Sequence, residues 1–350
     1  MNLPTLNREL SWLLFNDRVI EEANKTDNPL FERCRFLSIA ASNLDEFTMI
    51  RIGSLFDRKA LHPDLVEDKT GLTADAQLKA VFSATVPHLQ RRELAFSTIM
   101  TELGKHRIRR LEVQRWSSVE RDHFKALFDR DLKPLMSLQV IDAKHPLPHL
   151  NNLQTYLILR FLHKDKLKEA VLSFSPQHVS PVQVLPLIQP FKFALTEDVI
   201  WAFADDLVPG EVTEKALIRI TRNADLNADL AEDDELDYKF AMKQLLKQRN
   251  RLQPVKAEFR FPISEEFKTN WLKRLKLHPR QSFDLDSPFD YRFFADIERF
   301  LITRKADVFF PRHVPAWPNA FSRNDPLIPQ ILRHDIVLST PYQSMEPVVL

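Results

Sequence analysis

Glycine is the residue that most constrains this chain, because 350 residues contain only four: Gly53, Gly71, Gly104 and Gly210. No two of them lie close together in the sequence. A dinucleotide fingerprint or a phosphate-binding P-loop needs two or three glycines within a few residues, since backbone amides must approach the phosphates closely. The chain therefore excludes both loops, and any nucleotide that it binds must be held by side chains or by another segment.

The composition is that of a globular protein with several domains and no strong charge preference. Hydrophobic residues make up 44% of the chain and charged residues 28%, with a formal net charge of +1. No overall field therefore favours nucleic acid or an anionic membrane. Cys34 is the single cysteine, which excludes an internal disulfide framework and predicts a reducing, cytoplasmic setting. The polar first residues and the lack of a long apolar run predict no signal peptide and no membrane span, although peripheral association stays open.

Residues 1–106 have the apolar period of helices and predict an up-and-down helical bundle. Asn7 is a candidate N-cap for the first helix, and Asn28 followed by Pro29 predicts the start of the second. Gly104 predicts a helix end, and Pro87 weakens the middle of the helix before it. The apolar stripes of the first two helices contain Leu10, Leu13, Leu14, Leu30, Cys34 and Leu37.

Residues 107–318 mix strand and helix periods and predict an α+β domain. The strand candidates are HRIRRLEVQRW, LQTYLILRFL, AVLSFSP, VQVLPLI, KALIRITRNADL and VKAEFRFPI, and the helix candidates are DELDYKFAMKQLLKQRN and SEEFKTNWLKRLKL. Residues 319–350 continue a proline-rich linker and then predict a short strand, a turn and the first residues of a further domain. Because this last element only begins before the sequence stops, we expect the chain to be a fragment of a longer protein.

Three polar clusters that could suggest a binding site have plain structural explanations. His145 and His149 have the spacing of a metal pair, but the prolines between them exclude the helix that would align the rings, so a polar loop is predicted. The acidic run 232–235 is explained as the first turn of a helix that carries lysines further on. Arg107, Arg109 and Arg110 are explained as a solvated edge strand.

The stretch SIAASNLDEFTMIRIGSL, residues 38–55, offers a structural and a functional interpretation. Asn43 followed by Glu46 fits a capping box, and Ser42 with Asp45 fits a shifted version of it. The residues alone favour a helix start, because capping residues are far more common than asparagines that contact ligands.

Four stretches of the chain carry a similarity to one family: LNRELSWLLFNDRVIEEA, NPLFERCRFLSIAASNLDEFTMIRIGSL, ITRNADL and the tail HDIVLSTPYQSMEPVV. Through these residues the chain resembles the N-terminal half of bacterial polyphosphate kinase of the first type. The similarity is strongest over residues 6–56 and 216–226 and at the tail, where Met345 replaces the usual phenylalanine. Between these blocks it is diffuse but in register over nearly the whole chain.

The resemblance implies an enzyme that reversibly transfers the terminal phosphate of ATP to inorganic polyphosphate through a phosphohistidine, with magnesium. It implies a helical N-terminal domain over 1–106 that contributes to the ATP site, an α+β head domain over 107–318 used for dimerisation, and over 319–350 the linker and the beginning of a phospholipase D-like domain. The expected partners are ATP or ADP and polyphosphate, with a homodimer or homotetramer as the assembly. The nucleophilic histidine and the metal site are expected in the C-terminal domains, so no catalytic or metal residue is assigned here.

The resemblance assigns one residue of this chain, Asn43, to the nucleotide, near the adenine. A carboxamide offers both a donor and an acceptor, which suits a purine edge. Ser42 could then take over the helix cap. The alternative function is a stand-alone, non-catalytic dimerisation or regulatory module derived from the same family.

Overall fold

The computed structural model describes residues 6–142, 144–174, 179–186, 190–223, 253–301, 308–311, 313–319, 321–322 and 325–349. The described α-helices are α1 Arg8–Asn24, α2 Leu30–Phe47, α3 Gly53–Leu61, α4 Ala74–Lys105, α5 Ser118–Leu127, α6 Thr196–Phe203, α7 Glu265–Arg274, α8 Phe293–Leu301, α9 Leu327–Ile331 and α10 Glu346–Val349. π-Helices cover Thr48–Ile52 and Phe128–Leu132, and short 3-10 helices cover Val113–Arg115, Lys133–Leu135, Ala204–Leu207 and Pro279–Gln281.

Two sheets follow the first four helices. The strands are β1 Ile108–Arg110, β2 Met136–Ile141, β3 Thr155–His163, β4 Lys166–Phe174, β5 Val182–Val184, β6 Phe191–Leu195, β7 Glu211–Arg222, β8 Pro254–Arg260 and β9 Ser282–Leu285. The larger sheet has the order β2-β4-β3-β7-β8-β9 and is antiparallel except for the β8–β9 pair. The smaller sheet has the order β1-β6-β5, with β1 parallel to β6.

The larger sheet is covered on both faces, which explains why its central strands are buried almost continuously. Alternate residues of β7 point to opposite faces. Ile218 and Ile220 belong to the apolar core around Trp271 of α7. Leu217 belongs to a second core that includes Leu44 and other residues of the N-terminal helices. The helical and α+β parts therefore share one continuous core.

The structure confirms most of the predicted elements and corrects several boundaries. Asn7 is the N-cap of α1, and its side chain accepts from the backbone of Glu9 and Leu10. The second helix has Pro29 rather than Asn28 at its N-cap, and Leu14 is exposed rather than part of the apolar stripe. α4 runs through Pro87 and ends at Lys105, one residue beyond Gly104. The predicted β1 is much shorter than its sequence pattern, because a 3-10 helix follows at Val113–Arg115.

Residues 309–350 form a second compact unit, which has little regular structure among its described residues. The strand predicted at HDIVL is absent, since residues 334–338 have no assigned secondary structure. Inside this unit the indole of Trp317 donates to the backbone oxygen of Phe321. The helix predicted over 234–250 lies outside the described residues, as does the acidic run 232–235. Over the part of the chain that is described, no helix is both long and apolar enough to pass through a bilayer.

Candidate functional site

Asn43 lies inside α2, so the predicted helix start at Ser42–Asn43 is wrong. The helix continues without a break through Phe47, and the Ser42 hydroxyl donates to the backbone oxygen of Ile39 instead of capping a new helix. Such a bond occupies the side chain that would otherwise compete with the backbone. Tertiary burial decides the outcome, because Leu44 is fully buried in the core just beyond the expected break.

The side chain of Asn43 is half-buried and reaches towards α1. Its Nδ2 donates to Oδ1 of Asn16 at 3.3 Å. Nδ2 of Asn16 lies 2.9 Å from the backbone oxygen of Ala40 and 3.2 Å from Nε2 of His88 on α4. Asn16 and His88 are completely buried. A carboxamide on α2 is thus connected through a fully buried pair to the long helix α4.

An ion pair completes this chain at the other side of the imidazole. Nδ1 of His88 lies 2.7 Å from Oδ1 of Asp17, and the guanidinium of Arg91 donates to Oδ2 of Asp17 at 2.7 Å. Burial lowers the pKa of His88 and outweighs the Asp17 hydrogen bond, which raises it. The imidazole is therefore neutral at pH 7, with one nitrogen donating and the other accepting.

Two residues further along α2, Asp45 faces the larger sheet. Its two carboxylate oxygens each accept from the guanidinium of Arg219 on β7, both at 2.9 Å. The same guanidinium donates to Glu258 on β8 at 2.9 and 2.7 Å. Lys256 lies 3.2 Å from Glu258 and 3.5 Å from Asp45, which closes a buried cluster of four charges. Burial raises the pKa of Glu258, but the charges of Arg219 and Lys256 outweigh it and lower the pKa to about 2.

A π-helix and Gly53 form a further contact between the N-terminal helices and the end of β7. Thr48–Ile52 joins α2 to α3 without a turn, and such insertions are often found at functional sites. Gly53 then lies so close to Asn223 that a Cβ atom would be 2.2 Å from Oδ1 of that side chain. Nδ2 of Asn223 donates to the Gly53 oxygen at 3.3 Å and to Asp57 at 2.9 Å. The blocks 38–55 and 216–223, which carry the strongest resemblance, therefore pack against each other.

The surface beside Asn43 is partly apolar. Ile39 and Glu46 lie four residues before and three after Asn43, so the three side chains share one face of α2. Ile39 is 45% exposed. Trp12 of α1 stacks on Phe47 with ring centroids 4.0 Å apart and an interplanar angle of 5°. The carbonyl oxygen of Asn43 has no hydrogen-bond partner among the described residues. This combination of an open acceptor, apolar surface and rigid helices is what a planar base requires.

The other sequence candidates do not join this site. His145 lies in a loop, as predicted, and its ring contacts Asp142 at 3.0 Å. Within the described part of the chain, no three His, Cys, Asp or Glu side chains are grouped so as to hold a metal ion. β1 is an edge strand as predicted, but Arg110 is not solvated, because its guanidinium is buried against Asp198 at 2.8 Å. A cavity of about 290 Å³ between β3, α6 and the 288–293 loop does not include Asn43.

Sequence reasoning missed the partners of Asn43 and Asp45. Asn16, Asp17 and His88 are separated from Asn43 by 26 to 45 positions, and polar residues at those positions have no distinctive spacing. The resemblance gave one indication of these contacts, because Asn16, Asp17 and Arg219 lie inside its two strongest blocks, 6–56 and 216–226. It does not indicate which side chain of one block contacts which side chain of the other.

Comparison with known proteins shows the family of this chain. The family model of the polyphosphate kinase N-terminal domain matches residues 5–111, and that of the polyphosphate kinase middle domain matches residues 119–297. The chain belongs to the polyphosphate kinase family. Polyphosphate kinase of Staphylococcus epidermidis is 30% identical over 100% of this chain and 48% of its own length. That of Halalkalibacterium halodurans is 31% identical over 98% of the chain and 49% of its own length.

The chain thus spans about half the length of the curated polyphosphate kinases that it matches. A crystal structure of polyphosphate kinase from Porphyromonas gingivalis has the same fold, with a TM-score of 0.78 at 20% identity. The similarity covers 100% of this chain and 49% of that one. These matches confirm the predicted family and the predicted fold class, a helical N-terminal bundle followed by an α+β head.

Proposed function

We propose that this chain is the nucleotide-contacting and dimer-forming half of a polyphosphate kinase. The reaction moves the terminal phosphoryl group of ATP to a histidine nitrogen, releasing ADP, and then to the end of inorganic polyphosphate, and both steps are reversible. The histidine and the magnesium site are assigned to a second half, like the part of the relatives that this chain does not span. Residues 1–106 contribute to the ATP site, 107–318 mediate a homodimer or homotetramer in the cytoplasm, and 319–350 begin the next domain.

Asn43 is the residue that contacts the nucleotide in this proposal. The observation that supports it is the open carbonyl oxygen of its carboxamide, which is held on a rigid helix beside apolar surface. The glycine scarcity supports it further, because a chain without a phosphate loop must use side chains for a nucleotide. The base is the part of ATP that a carboxamide and an apolar surface recognise, so this half reads the base and leaves the phosphates to the second half.

The proposal is tested by titrating ATP into the 350-residue chain and following the side-chain amide of Asn43 and the backbone amides of α2 by NMR. We expect weak binding that shifts both sets of signals in the unaltered chain, and the backbone amides of Asn43→Ala should not shift. Ser42→Ala is the matched control, because its side chain is exposed and bonded only to its own helix. Thermal unfolding of Asn43→Ala should be nearly unchanged, since one half-buried hydrogen bond contributes about 1 kcal/mol.

Two results would contradict the proposal. If the 350 residues alone synthesise polyphosphate from ATP, the assignment of the histidine to another part is wrong. If Asn43→Ala lowers the melting temperature strongly and leaves ATP affinity unchanged, Asn43 has only a structural task. The latter result would favour the alternative of a non-catalytic dimerisation or regulatory module.

A further inference from the structure

The buried side chains behind Asn43 determine which chemical group it offers to a ligand. We propose that Asp17, His88 and Asn16 form a positioning relay that holds the Asn43 carboxamide with its carbonyl oxygen towards the nucleotide. The base must then present a hydrogen-bond donor at that point. This inference rests on the proposed function and adds to it the residues that set base selectivity.

The orientation of Asn16 has a fixed reference in the backbone. The oxygen of Ala40 can only accept a hydrogen bond, so the Asn16 atom 2.9 Å from it must be the Nδ2 group. The reversed carboxamide would place two oxygens against each other inside a completely buried site, at a large cost in free energy. The oxygen of Asn16 consequently points to Asn43.

The imidazole gives the same orientation independently. The Asp17 carboxylate can only accept, so Nδ1 of His88, 2.7 Å away, carries the proton. Arg91 holds the second oxygen of Asp17 and keeps the carboxylate in place. Burial lowers the pKa of His88, so the ring is neutral and its Nε2 accepts. The second N–H of Asn16 meets that nitrogen at 3.2 Å.

These two constraints leave one orientation for Asn43. Its Nδ2 must face the Asn16 oxygen, since two carboxamide oxygens at 3.3 Å would repel each other. Its own oxygen is therefore an acceptor in a defined position. The amine at carbon 6 of adenine donates to such an oxygen, whereas hypoxanthine has a carbonyl at carbon 6. An asparagine without the relay could rotate by 180° and serve either base.

The first test measures the relay without any nucleotide. Histidine labelled with nitrogen-15 reports which ring nitrogen carries the proton, and His88→Gln identifies the signal. We expect Nδ1 protonated and Nε2 unprotonated in the 350-residue chain at pH 7. A proton on Nε2, with or without one on Nδ1, overturns the proposal.

The second test compares ATP with ITP, whose base has a carbonyl at carbon 6 in place of the amine and carries a proton on N1. The unaltered chain should bind ATP roughly tenfold more tightly than ITP, because one hydrogen bond from the adenine amine to the Asn43 oxygen is replaced by two opposed carbonyl oxygens. Asn16→Leu removes the group that orients Asn43, so the two affinities should converge. Ser42→Ala should keep the original ratio.

A second variant keeps the test decisive if Asn16→Leu does not fold. Asn16→Ala, which adds no bulk, also removes the group that orients Asn43, so the two affinities should converge in this variant as well. A folded Asn16→Leu or Asn16→Ala chain with an unchanged ratio overturns the relay. If neither ATP nor ITP shifts the Asn43 signal, the proposed function itself has failed.

Discussion

At the scale of single residues, Asn43 and Asp45 show how two neighbouring positions of one helix serve different tasks. They are separated by about 200° around the helix axis, because an α-helix turns about 100° per residue. Asn43 therefore reaches the buried asparagine of α1, while Asp45 reaches Arg219 of the sheet. Asn43 is left with an open acceptor, and Asp45 holds the helix against the sheet behind it.

Two buried arginines should respond in opposite ways to the same substitution. Arg219→Met leaves Asp45 and Glu258 with only Lys256, so we expect the free energy of unfolding to fall by about 3–5 kcal/mol. Arg92 is equally buried, but none of its three guanidinium nitrogens has a hydrogen-bond partner among the described residues. Arg92→Met should be neutral or stabilising by about 1–3 kcal/mol, because an unsatisfied buried group is removed.

Urea unfolding of both variants measures the two changes under the same conditions. Each replacement keeps a long apolar side chain, so the difference in charge partners is what the comparison isolates. An equal loss for Arg92→Met would show that the contact of its guanidinium with the Tyr291 ring, 5.6 Å from Cζ to the ring centroid, outweighs the cost of its unsatisfied nitrogens. An unchanged stability for Arg219→Met would show that the charge cluster contributes nothing to the packing of the helices on the sheet.

At the scale of elements, α2, the π-helix Thr48–Ile52 and α3 form one uninterrupted segment. Sequence reasoning placed a helix start in the middle of it, because Ser42, Asn43 and Glu46 match a capping box. The match was local, whereas burial of Leu37, Leu44 and Phe47 on the same helix stabilises its continuation. The segment ends with Gly53 against Asn223, a close approach that no helix propensity predicts.

Gly53 should be intolerant of a methyl group, although it lies at the start of a helix. A Cβ there would be 2.2 Å from Oδ1 and 3.3 Å from the Cα atom of Asn223. We expect Gly53→Ala to destabilise the chain by about 1–3 kcal/mol through overpacking. Gly104→Ala is the matched control, since nothing lies within 4 Å of its Cβ position, and it should stabilise by about 0.5–1 kcal/mol.

Thermal and urea unfolding of the two alanine variants provide the measurement. A second substitution, Asn223→Ala, should recover part of the loss in Gly53→Ala, because it removes the atoms in the way. Equal stability of Gly53→Ala and the unaltered chain would mean that Asn223 moves aside without losing its bonds to Gly53 and Asp57.

At the scale of the whole molecule, buried ionisable groups respond to pH with opposite signs. The pKa of His88 is lowered from 6.5 by burial, so acidification through that value protonates the unfolded state first and destabilises the fold. The pKa of Glu197 is raised to about 7, because burial raises it by more than the charge of Arg260 lowers it. The protonated side chain therefore stabilises the fold. This stabilisation is complete below pH 4.5 and is lost as the pH rises through 7.

In the unaltered chain the contributions of His88 and Glu197 to the free energy of unfolding therefore change in opposite directions between pH 6.5 and 4.5. Below pH 4.5 the free energy of unfolding should fall steeply, because the pKa of Glu258 is lowered to about 2 and its ion pairs are lost. Glu197→Gln removes the group that gains a proton on folding, so this variant should already lose stability between pH 6.5 and 4.5. Urea unfolding at pH 7, 5.5, 4.5 and 3 separates these outcomes, and parallel curves for the two proteins would contradict the assignment.

The sequence by itself determined the family, the order of helical and α+β parts, and most strands of the larger sheet. Those features depend on local period and on long blocks of similarity, which are present in the order of residues. It also selected Asn43, through the resemblance and through the lack of glycine loops. The exclusion of a phosphate loop needed only the spacing of four residues.

Only the tertiary structure showed which side chains the Asn43 carboxamide contacts. Asn16 bonds to this carboxamide and His88 contacts Asn16, although the three residues are far apart in sequence, and Arg219 meets Asp45 across 174 positions. Burial of α2 in the core also continues this helix through Ser42–Glu46, although those residues match the pattern of a helix cap. Hydrogen bonds between buried side chains depend on which elements pack together, and burial sets both their strength and the cost of leaving one unmade.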